Sequence, residues 1–468
     1  MPNVSEQTKL QHLLLRAGFG ASLSEIANYQ VQRIEKVAKQ LLQESVEVRP
    51  LTIVDGNELK VGKFLFADKD EKKEMIKDSI SKIKDLNLMW LDRMTESKGV
   101  LREKMTLFWH GHFACESKNV YFIQNQNNTL RKHALGKFGD LLHAISKDPA
   151  MLQYLNNKQN KKDSPNENFA REVMELFTLG RGNYTENDIK NAARAFTGWD
   201  FDQNGAFIFR KFKHDFDEKT FFGKTGNFSG EDILNMILEN KQTAKFITTK
   251  IYKYFVNEKL DENIINTLAE KFFQSNYDIG ALMEEIFTSA WFYDAKNIGS
   301  RIKSPVEYLT TIRKQFNLSF SDKDPLIFLQ KILGQMLFFP PNVAGWQEGR
   351  AWIDSSTLVI RTMLPQVLYR MVEIPIQPKE EGDVNADFIG KKKLQTIKAT
   401  YDWSAFVKNF GNEKTEKLNQ QLAEYLLQVP LSAHNQALII KIGYGKTSEE
   451  AMKEASMMLT TLPEYQMC

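Results

Sequence analysis

The sequence predicts a mainly α-helical protein with a large bundle-like body, a few short strands and a small C-terminal helical subdomain. Three observations lead to this prediction. Apolar residues recur at helical spacing along most of the 468 residues, several helix starts carry capping residues, and strand-like alternation is rare. A chain of this length can bury a large core without disulfide or metal cross-links, and its two cysteines cannot form a disulfide framework.

Local capping chemistry marks five helix starts. In each, a serine or threonine precedes a carboxylate by three residues, so that each side chain can accept a hydrogen bond from the other's backbone N–H group. Two of the five also place proline at the first helical position, where its fixed φ angle suits a helix. The five capping residues are Ser164, Thr185, Ser229, Ser304 and Thr447.

Hydrophobic periodicity predicts seven further helices, at about residues 22–43, 69–94, 101–113, 125–146, 243–255, 261–273 and 278–289. Strand signals are sparse. Alternating aromatic residues at 205–212 predict a short strand or hairpin arm, and the segment 438–442 is ambiguous.

Composition divides the chain into three parts. Residues 1–372 form the predicted helical main domain, and residues 373–400, which begin rich in Pro, Gly, Glu and Lys, form a linker or irregular connection. Residues 401–468 are predicted to be a C-terminal helical subdomain packed on the main body, because this part is short for independent folding.

Charge and composition exclude several classes of function. The 62 basic and 59 acidic side chains leave a net charge of +3, too small to indicate a nucleic-acid partner. No apolar run is long enough for a membrane span, and the first residues lack a signal-peptide pattern. Nucleotide, haem and flavin signatures are missing too. We therefore expect a cytoplasmic protein as written, with export or a periplasmic location left open.

The first candidate site is the segment His110-Gly111-His112, which holds two of the seven histidines. On an α-helix, residues two apart point about 200° away from each other and cannot bind one metal ion together, whereas in an extended segment they can. Gly111 makes a break in the helix plausible at this point. The structural alternative is a helix end with a hydrogen-bonded buried histidine.

The second candidate site is a pair of carboxylates, Glu172 and Glu175, three residues apart on a predicted helix. Such a pair can bind a hard cation or act as general acid and base if it faces a cleft. Glu167, Arg171 and Glu175 also alternate in charge at four-residue steps, which is typical of salt bridges on a helix surface. Arg181 follows on the next loop, where its guanidinium can bind an anion or the last carbonyl groups of the helix.

The loop at 340–354 contains two prolines, two glycines and the indoles of Trp346 and Trp352. A loop of this composition is usually pinned to the protein body by aromatic burial. The same composition also suits the wall of a sugar-binding or hydrophobic ligand cleft.

These motifs together resemble a bacterial family known as domain of unknown function 1800. The resemblance runs over nearly the whole chain, and its most specific word is Asn-Glu-Asn-x-Ala-Arg-Glu at 166–172. Two departures are visible: Gly111 stands where asparagine is often found, and Lys137-Phe138-Gly139 replaces Asn-Phe-Arg. If those side chains contribute to a site, this chain carries a weakened version of it. The matching stretches include residues 12–20, 104–113, 134–136, 148–152, 166–180, 184–186, 193–199, 303–305, 340–352 and 463–466.

The resemblance implies a largely helical fold, but no established activity, substrate or catalytic residue. Genes of the family often lie beside those of a second family similar to sulfatases and alkaline phosphatases. The resemblance therefore implies a sulfatase- or alkaline-phosphatase-like partner. Many members of the family are exported, which is why export stays open for this chain.

Two hypotheses of function follow. In the first, the protein is a hydrolase-like enzyme acting on envelope or extracellular polymers, and polar groups within apolar helices converge in one cleft. In the second, it is a non-catalytic binding or assembly protein that works with the sulfatase-like partner, and the same groups form a structural network. Under the first hypothesis the catalytic residues are His110, His112, Glu172, Glu175 and Arg181, and a divalent metal ion is held by His110, His112 and Glu172.

Overall fold

The computed structural model describes residues 4–55, 67–370, 397–411, 413–442 and 446–468. Over these residues the fold is mainly helical, as predicted from the sequence. The helices of the N-terminal third are α1 (Glu6–Arg16), α2 (Leu23–Tyr29), α3 (Ile34–Glu44), α4 (Lys69–Glu96), α5 (Val100–His112), α6 (Val120–His133), α7 (Phe138–Ser146) and α8 (Pro149–Tyr154).

The middle of the chain continues the helical pattern and adds two short hairpins. Here α9 (Asn168–Glu172) passes into a π-helical turn (Val173–Thr178), followed by α10 (Glu186–Ala195), α11 (Gly230–Glu239), α12 (Lys241–Phe255), α13 (Glu262–Gln274) and α14 (Ile279–Thr288). Strands β1 (Trp199–Phe201) and β2 (Phe207–Phe209) pair antiparallel, as do β3 (Lys219–Phe221) and β4 (Lys224–Gly226).

The last third contains α15 (Pro305–Gln315), α16 (Asp324–Ile332), α17 (Ser355–Arg370), α18 (Ser404–Phe410), α19 (Thr415–Leu426), α20 (Ala433–Ile442) and α21 (Ser448–Thr461). Strands β5 (Ser319–Phe320) and β6 (Ala399–Thr400) form a third antiparallel pair. None of the described helices combines the length and the apolar character needed to cross a membrane.

Four of the five predicted capping boxes are confirmed, at Thr185, Ser229, Ser304 and Thr447. The prediction at Ser164 is wrong, because α9 begins at Asn168, four residues later. Two hydrogen bonds hold this segment out of the helix: the backbone N–H of Asn166 donates to the side chain of Asn160, six residues earlier, and that of Lys162 donates to the carbonyl of the distant Lys213.

Two of the predicted helices are each divided in the structure. The segment 22–43 forms α2 and α3, and the segment 125–146 lies in α6 and α7. The second division follows from a contact with a distant turn, since the N–H of Phe138 donates to the carbonyl of Tyr277 while Gly136 accepts from Ile279. The ambiguous segment 438–442 is helical, and the strand predicted within 205–212 is β2.

Helix α5 is the central helix of the N-terminal half. Every side chain from Val100 to His110 is buried, because α3, α4 and α6 all pack around it. Two of its charged residues are neutralised inside the protein: Glu103 pairs with Arg131 of α6, and Lys104 pairs with Glu307 of α15. These contacts fix the position of the end of α5, where the two histidines lie.

The C-terminal helices pack against the preceding part of the chain. Helix α21 packs on α17, and the hydroxyl of Tyr425 donates to the carbonyls of Ala21 and Gln315. The backbone groups of Arg301 and Cys468 pair with each other. Most of the connection expected at 373–400 lies outside the described residues, and the division into a main domain, a linker and a subdomain stays a prediction.

Candidate functional site

Helix α5 continues through Gly111 to His112, so the two histidines have different surroundings. The imidazole of His110 is enclosed by the rings of Trp90, Phe338 and Trp346, and its Nε2 accepts a hydrogen bond of 3.1 Å from the N–H of Phe338. Burial, with a smaller effect of a nearby arginine, lowers the pKa of His110 to about 3. His110 is therefore neutral at physiological pH.

His112 points to a different neighbour. Its Nε2 lies 3.0 Å from the carbonyl oxygen of Phe177 and donates to it, which satisfies a carbonyl group near the end of the π-helical turn. The other ring nitrogen, Nδ1, is buried and has no hydrogen-bond partner in the described part of the chain. Burial, followed by the charge of Lys250, lowers the pKa of His112 well below its ordinary value. Nδ1 is thus a free acceptor.

Of the two carboxylates predicted as catalytic groups, Glu175 is hydrogen-bonded and Glu172 has no partner among the described residues. The two oxygens of Glu175 accept hydrogen bonds from Arg181 Nε at 2.5 Å and from the hydroxyl of Tyr184 at 2.8 Å. Arg181 is 87% exposed, and Glu172 forms no hydrogen bond or ion pair in the described part of the chain. Burial, together with Glu175, raises the pKa of Glu172.

The five residues predicted from the sequence therefore do not share hydrogen bonds or ion pairs with one another, apart from the pair Glu175–Arg181. The connection between the two motifs is the hydrogen bond from His112 to the backbone of Phe177, one turn after Glu172. Among the residues described, no group of three or more His, Cys, Asp and Glu side chains is placed to hold a metal ion. The metal site stays a prediction without a matching ligand geometry.

The end of α5 instead forms one wall of a cleft of about 70 Å³. Opposite walls come from the end of α12, from the segment before α15, and from the loop at 340–354. The lining residues with polar or aromatic side chains are Phe108, His112, Lys250, Lys253, Tyr254, Glu258, Arg301, Ser304, Gln335, Trp346, Gln347, Glu348 and Trp352.

A glycine of the loop at 340–354 allows the loop to approach α5 closely. Gly345 has φ of +83°, and a Cβ atom there would lie 2.5 Å from the carbonyl oxygen of Gly111. Only glycine fits this combination of left-handed backbone and close approach. Gly111 itself lines the cleft, and a Cβ atom at this position would meet no other atom within 4 Å.

The cleft carries a surplus of unpaired donors. Lys253 pairs with Glu348 at 3.0 Å, but Lys250 and Arg301 have no such short ion pair in the described part of the chain. The hydroxyl of Tyr254 is buried and has no hydrogen-bond partner among the residues that the structure describes. Burial, and secondly the charge of Glu307, raises the pKa of Tyr254 well above its ordinary value, so this side chain stays a neutral donor.

Sequence reasoning identified two walls of this cleft, the end of α5 with His112 and the loop at 340–354, but missed the others. The loop with Trp346 and Trp352 was recognised as a possible ligand wall, and it lines the cleft while Trp346 also packs on His110. Lys250, Tyr254 and Arg301 gave no signal, because residues from separate segments show no fixed spacing in the sequence. The only local hint is the four-residue step from Lys250 to Tyr254, which places both on one face of α12.

A second cavity, of about 410 Å³, lies beside α2 and α3. Its acidic side chains are largely engaged: Glu25 pairs with Lys314 at 2.9 Å, and Glu44 accepts a hydrogen bond of 2.8 Å from Gln40. It therefore offers fewer free polar groups than the cleft at the end of α5.

Fold and site together define a mainly helical protein with an aromatic-walled, donor-rich cleft between its central helix and a tryptophan loop. The chain belongs to the family described as proteins of unknown function, DUF1800, whose sequence profile matches residues 12–467. Neither the comparison with curated proteins nor the comparison with solved structures gave a match. The family membership expected from the sequence is thus confirmed, and it brings no activity with it.

Proposed function

We propose that the cleft binds a saccharide segment of an envelope or extracellular polymer. The observation that carries this proposal is the presence, in one cleft, of the rings of Trp346 and Trp352 together with buried polar atoms that lack hydrogen-bond partners among the described residues. Sugar rings offer apolar C–H faces that pack on aromatic rings, and hydroxyl groups that form hydrogen bonds at their edges.

The unpartnered atoms are Nδ1 of His112, Oη of Tyr254 and Nη1 of Arg301. Leaving a buried polar atom without a hydrogen bond costs about 1–3 kcal/mol, which a bound hydroxyl group would recover. One acceptor and two donors match a hydroxylated ligand, because each hydroxyl group can both donate and accept.

A substitution at Gly111 tests this proposal without removing a side chain. We expect Gly111→Leu to fill the cleft and weaken saccharide binding by about tenfold or more, since the new side chain takes the space of the ligand. Binding is measured by isothermal titration calorimetry against dextran, laminarin, polygalacturonate and dextran sulfate, with tryptophan fluorescence as a second readout.

The matched control is Gly111→Ala, which adds one methyl group at the same position and should leave affinity within about twofold of the original. Both variants should keep or raise stability, because glycine inside a helix is destabilising by roughly 0.5–1 kcal/mol relative to alanine. The proposal fails if no polysaccharide binds the unmodified chain, or if Gly111→Leu binds as tightly as Gly111→Ala.

Hydrolysis of the bound polymer is a second candidate function, favoured by the presence of carboxylates in the same cleft. Glu258 lines the cleft without a hydrogen bond or ion pair in the described part of the chain, and Glu348 lies opposite Lys253. A hydrolase needs one group to take a proton from the attacking water and another to return a proton to the leaving oxygen. Glu258, Glu348 and neutral His112 supply the required types of group.

If the cleft is catalytic, Glu258→Gln should lower the rate of reducing-end release by about a hundredfold or more while binding is retained, because an amide cannot exchange the proton. The measurement is a reducing-sugar assay on each polysaccharide that binds. The parallel variant Glu175→Gln tests the acidic pair predicted from the sequence. Loss of turnover in Glu175→Gln but not in Glu258→Gln would place the reaction at the π-helical turn. If the unmodified chain binds the polysaccharide without hydrolysing it, only the binding function remains.

Two expectations from the sequence stay proposals alongside these. A divalent metal ion at His110, His112 and Glu172 can be sought by elemental analysis of freshly purified protein. A sulfatase- or alkaline-phosphatase-like partner can be sought by co-purification, and it belongs with the non-catalytic binding or assembly function.

A further inference from the structure

Arg301 has an unusual position at the inner end of the cleft. The side chain is only 7% exposed, and its guanidinium lies 4.6 Å from the ring centre of Tyr254. Its backbone N–H and C=O pair with the backbone of Cys468, so the main chain that carries it is held in place. The side chain is thus ordered by stacking and by backbone pairing.

The hydrogen-bonding capacity of Arg301 is nevertheless unused. A guanidinium carries five N–H donors, yet the side chain forms no hydrogen bond within the described residues, and Nη1 is buried without a partner. The nearest acid, Glu307, lies 3.8 Å from Nη1 but directs the same oxygen to Lys104 at 2.5 Å. Glu307 therefore balances the charge of Arg301 only in part and leaves its donors free.

Lys250 adds a second cation on the wall of the same cleft. Its ammonium lies 5.3 Å from the ring centre of Phe246 and forms no ion pair within the described residues. The carboxylates that line the cleft are Glu348, which pairs with Lys253, and Glu258, which packs against the backbone of Gly349. Among the described residues that line the cleft, Lys250 and Arg301 thus face one carboxylate without an ion pair, that of Glu258.

We propose that the inner end of the cleft binds an oxyanion, a carboxylate or sulfate group carried by the polymer, through Arg301 and Lys250. Planar guanidinium groups bind such oxyanions with paired, charge-assisted hydrogen bonds, which are stronger than neutral ones. The volume of about 70 Å³ suits one oxyanion group, with the sugar ring that carries it resting on Trp346 and Trp352 at the mouth. This inference rests on the proposed saccharide function and names the class of polymer.

Three polymers with one backbone test the inference: dextran, carboxymethyl-dextran and dextran sulfate, together with free sulfate as a small probe. We expect at least one charged dextran to bind more tightly than dextran. We also expect this preference to fall by about tenfold or more in Arg301→Met and in Lys250→Met, because a charge-assisted hydrogen bond is lost. Whether carboxymethyl-dextran or dextran sulfate binds more tightly distinguishes the two oxyanions.

Lys250→Met keeps the test valid if Arg301→Met fails to fold, because Lys250 is outside the buried ion-pair network. Lys224 is exposed and does not line the cleft. Lys224→Met therefore controls for a general attraction of polyanions and should keep the preference for charged dextrans. An equal preference in all variants, or no preference for charge, overturns the inference. Dextran binding that is sensitive to Gly111→Leu but not to charge would leave the saccharide function standing without the oxyanion site. If free sulfate binds and requires Arg301 but no dextran binds, the oxyanion site stands and the saccharide function does not.

Discussion

Glu307→Gln is expected to lower the free energy of unfolding by about 3–5 kcal/mol, since removing one member of a buried ion pair leaves an uncompensated charge. Glu307 and Lys104 are 2% and 1% exposed, and their charged atoms lie 2.5 Å apart. Burial alone would raise the pKa of Glu307, but Lys104 and Arg301 outweigh it and lower this pKa to about 2. The neutral amide would leave both cations without their counter-charge.

Urea denaturation at neutral pH measures this effect. The glutamine retains an oxygen that can accept from the backbone N–H of Ser304, so the capping interaction of α15 is largely preserved and the loss reports the charge. Glu239→Gln is the matched control, because Glu239 pairs with Lys224 on the surface and both side chains are more than half exposed. That variant should change stability by less than about 1 kcal/mol. Equal effects of the two substitutions would show that the buried pair contributes no more than a surface pair.

The elements that could be predicted from the sequence are those whose causes lie within a few residues. The capping boxes at Thr185 and Ser304 depend on two side chains three residues apart, and both form as expected. The box at Ser164 has the same local pattern, but the hydrogen bond from Asn166 to Asn160 and the bond from Lys162 to Lys213 prevail. A hydrogen bond to Asn160, just before the box, and one to Lys213, between β2 and β3, thus override the same local pattern.

The candidate site, too, could be predicted only where its causes lie within a few residues of sequence. The spacing of His110 and His112 left a helical and an extended arrangement open, and in the continuous helix α5 the two imidazoles face different neighbours. Which neighbours they meet depends on Phe338 and Phe177, which lie more than 60 residues away in sequence. The cleft is made from four such segments, so the unused donors of Arg301 become visible only once the chain is folded.

Acid should destabilise this protein strongly through its buried neutral histidines. The pKa of His110 is about 3 in the folded protein, against about 6.5 in an unfolded chain, so between these values only the unfolded state takes up the proton. The stability that depends on a neutral His110 is complete above pH of about 6.5, is lost as the pH falls, and is fully lost below about 3. His12 and His112, whose pKa values are also lowered mainly by burial, act in the same direction.

His110→Gln isolates one of these contributions. The amide oxygen of glutamine can accept from the N–H of Phe338 as Nε2 does, but it does not titrate. At pH 4.5 protonation of His110 in the unfolded chain lowers the free energy of unfolding by about 2.7 kcal/mol, from about 1.36 kcal/mol per pH unit over about two units. The loss of unfolding free energy between pH 7 and pH 4.5 should therefore be about 2–3 kcal/mol smaller in the variant than in the unmodified protein.

The comparison requires urea denaturation curves at both pH values, with His434→Gln as a control at an exposed histidine. The control should keep the full acid sensitivity, because the side chain of His434 is exposed and its replacement leaves the surroundings of His110 unchanged. Only the difference between the two pH values matters here, since any packing defect caused by glutamine among Trp90, Phe338 and Trp346 lowers stability at both. If the loss of unfolding free energy between pH 7 and pH 4.5 is the same in His110→Gln as in the unmodified protein, His110 is protonated within the folded protein. Its imidazole would then not be held neutral by burial.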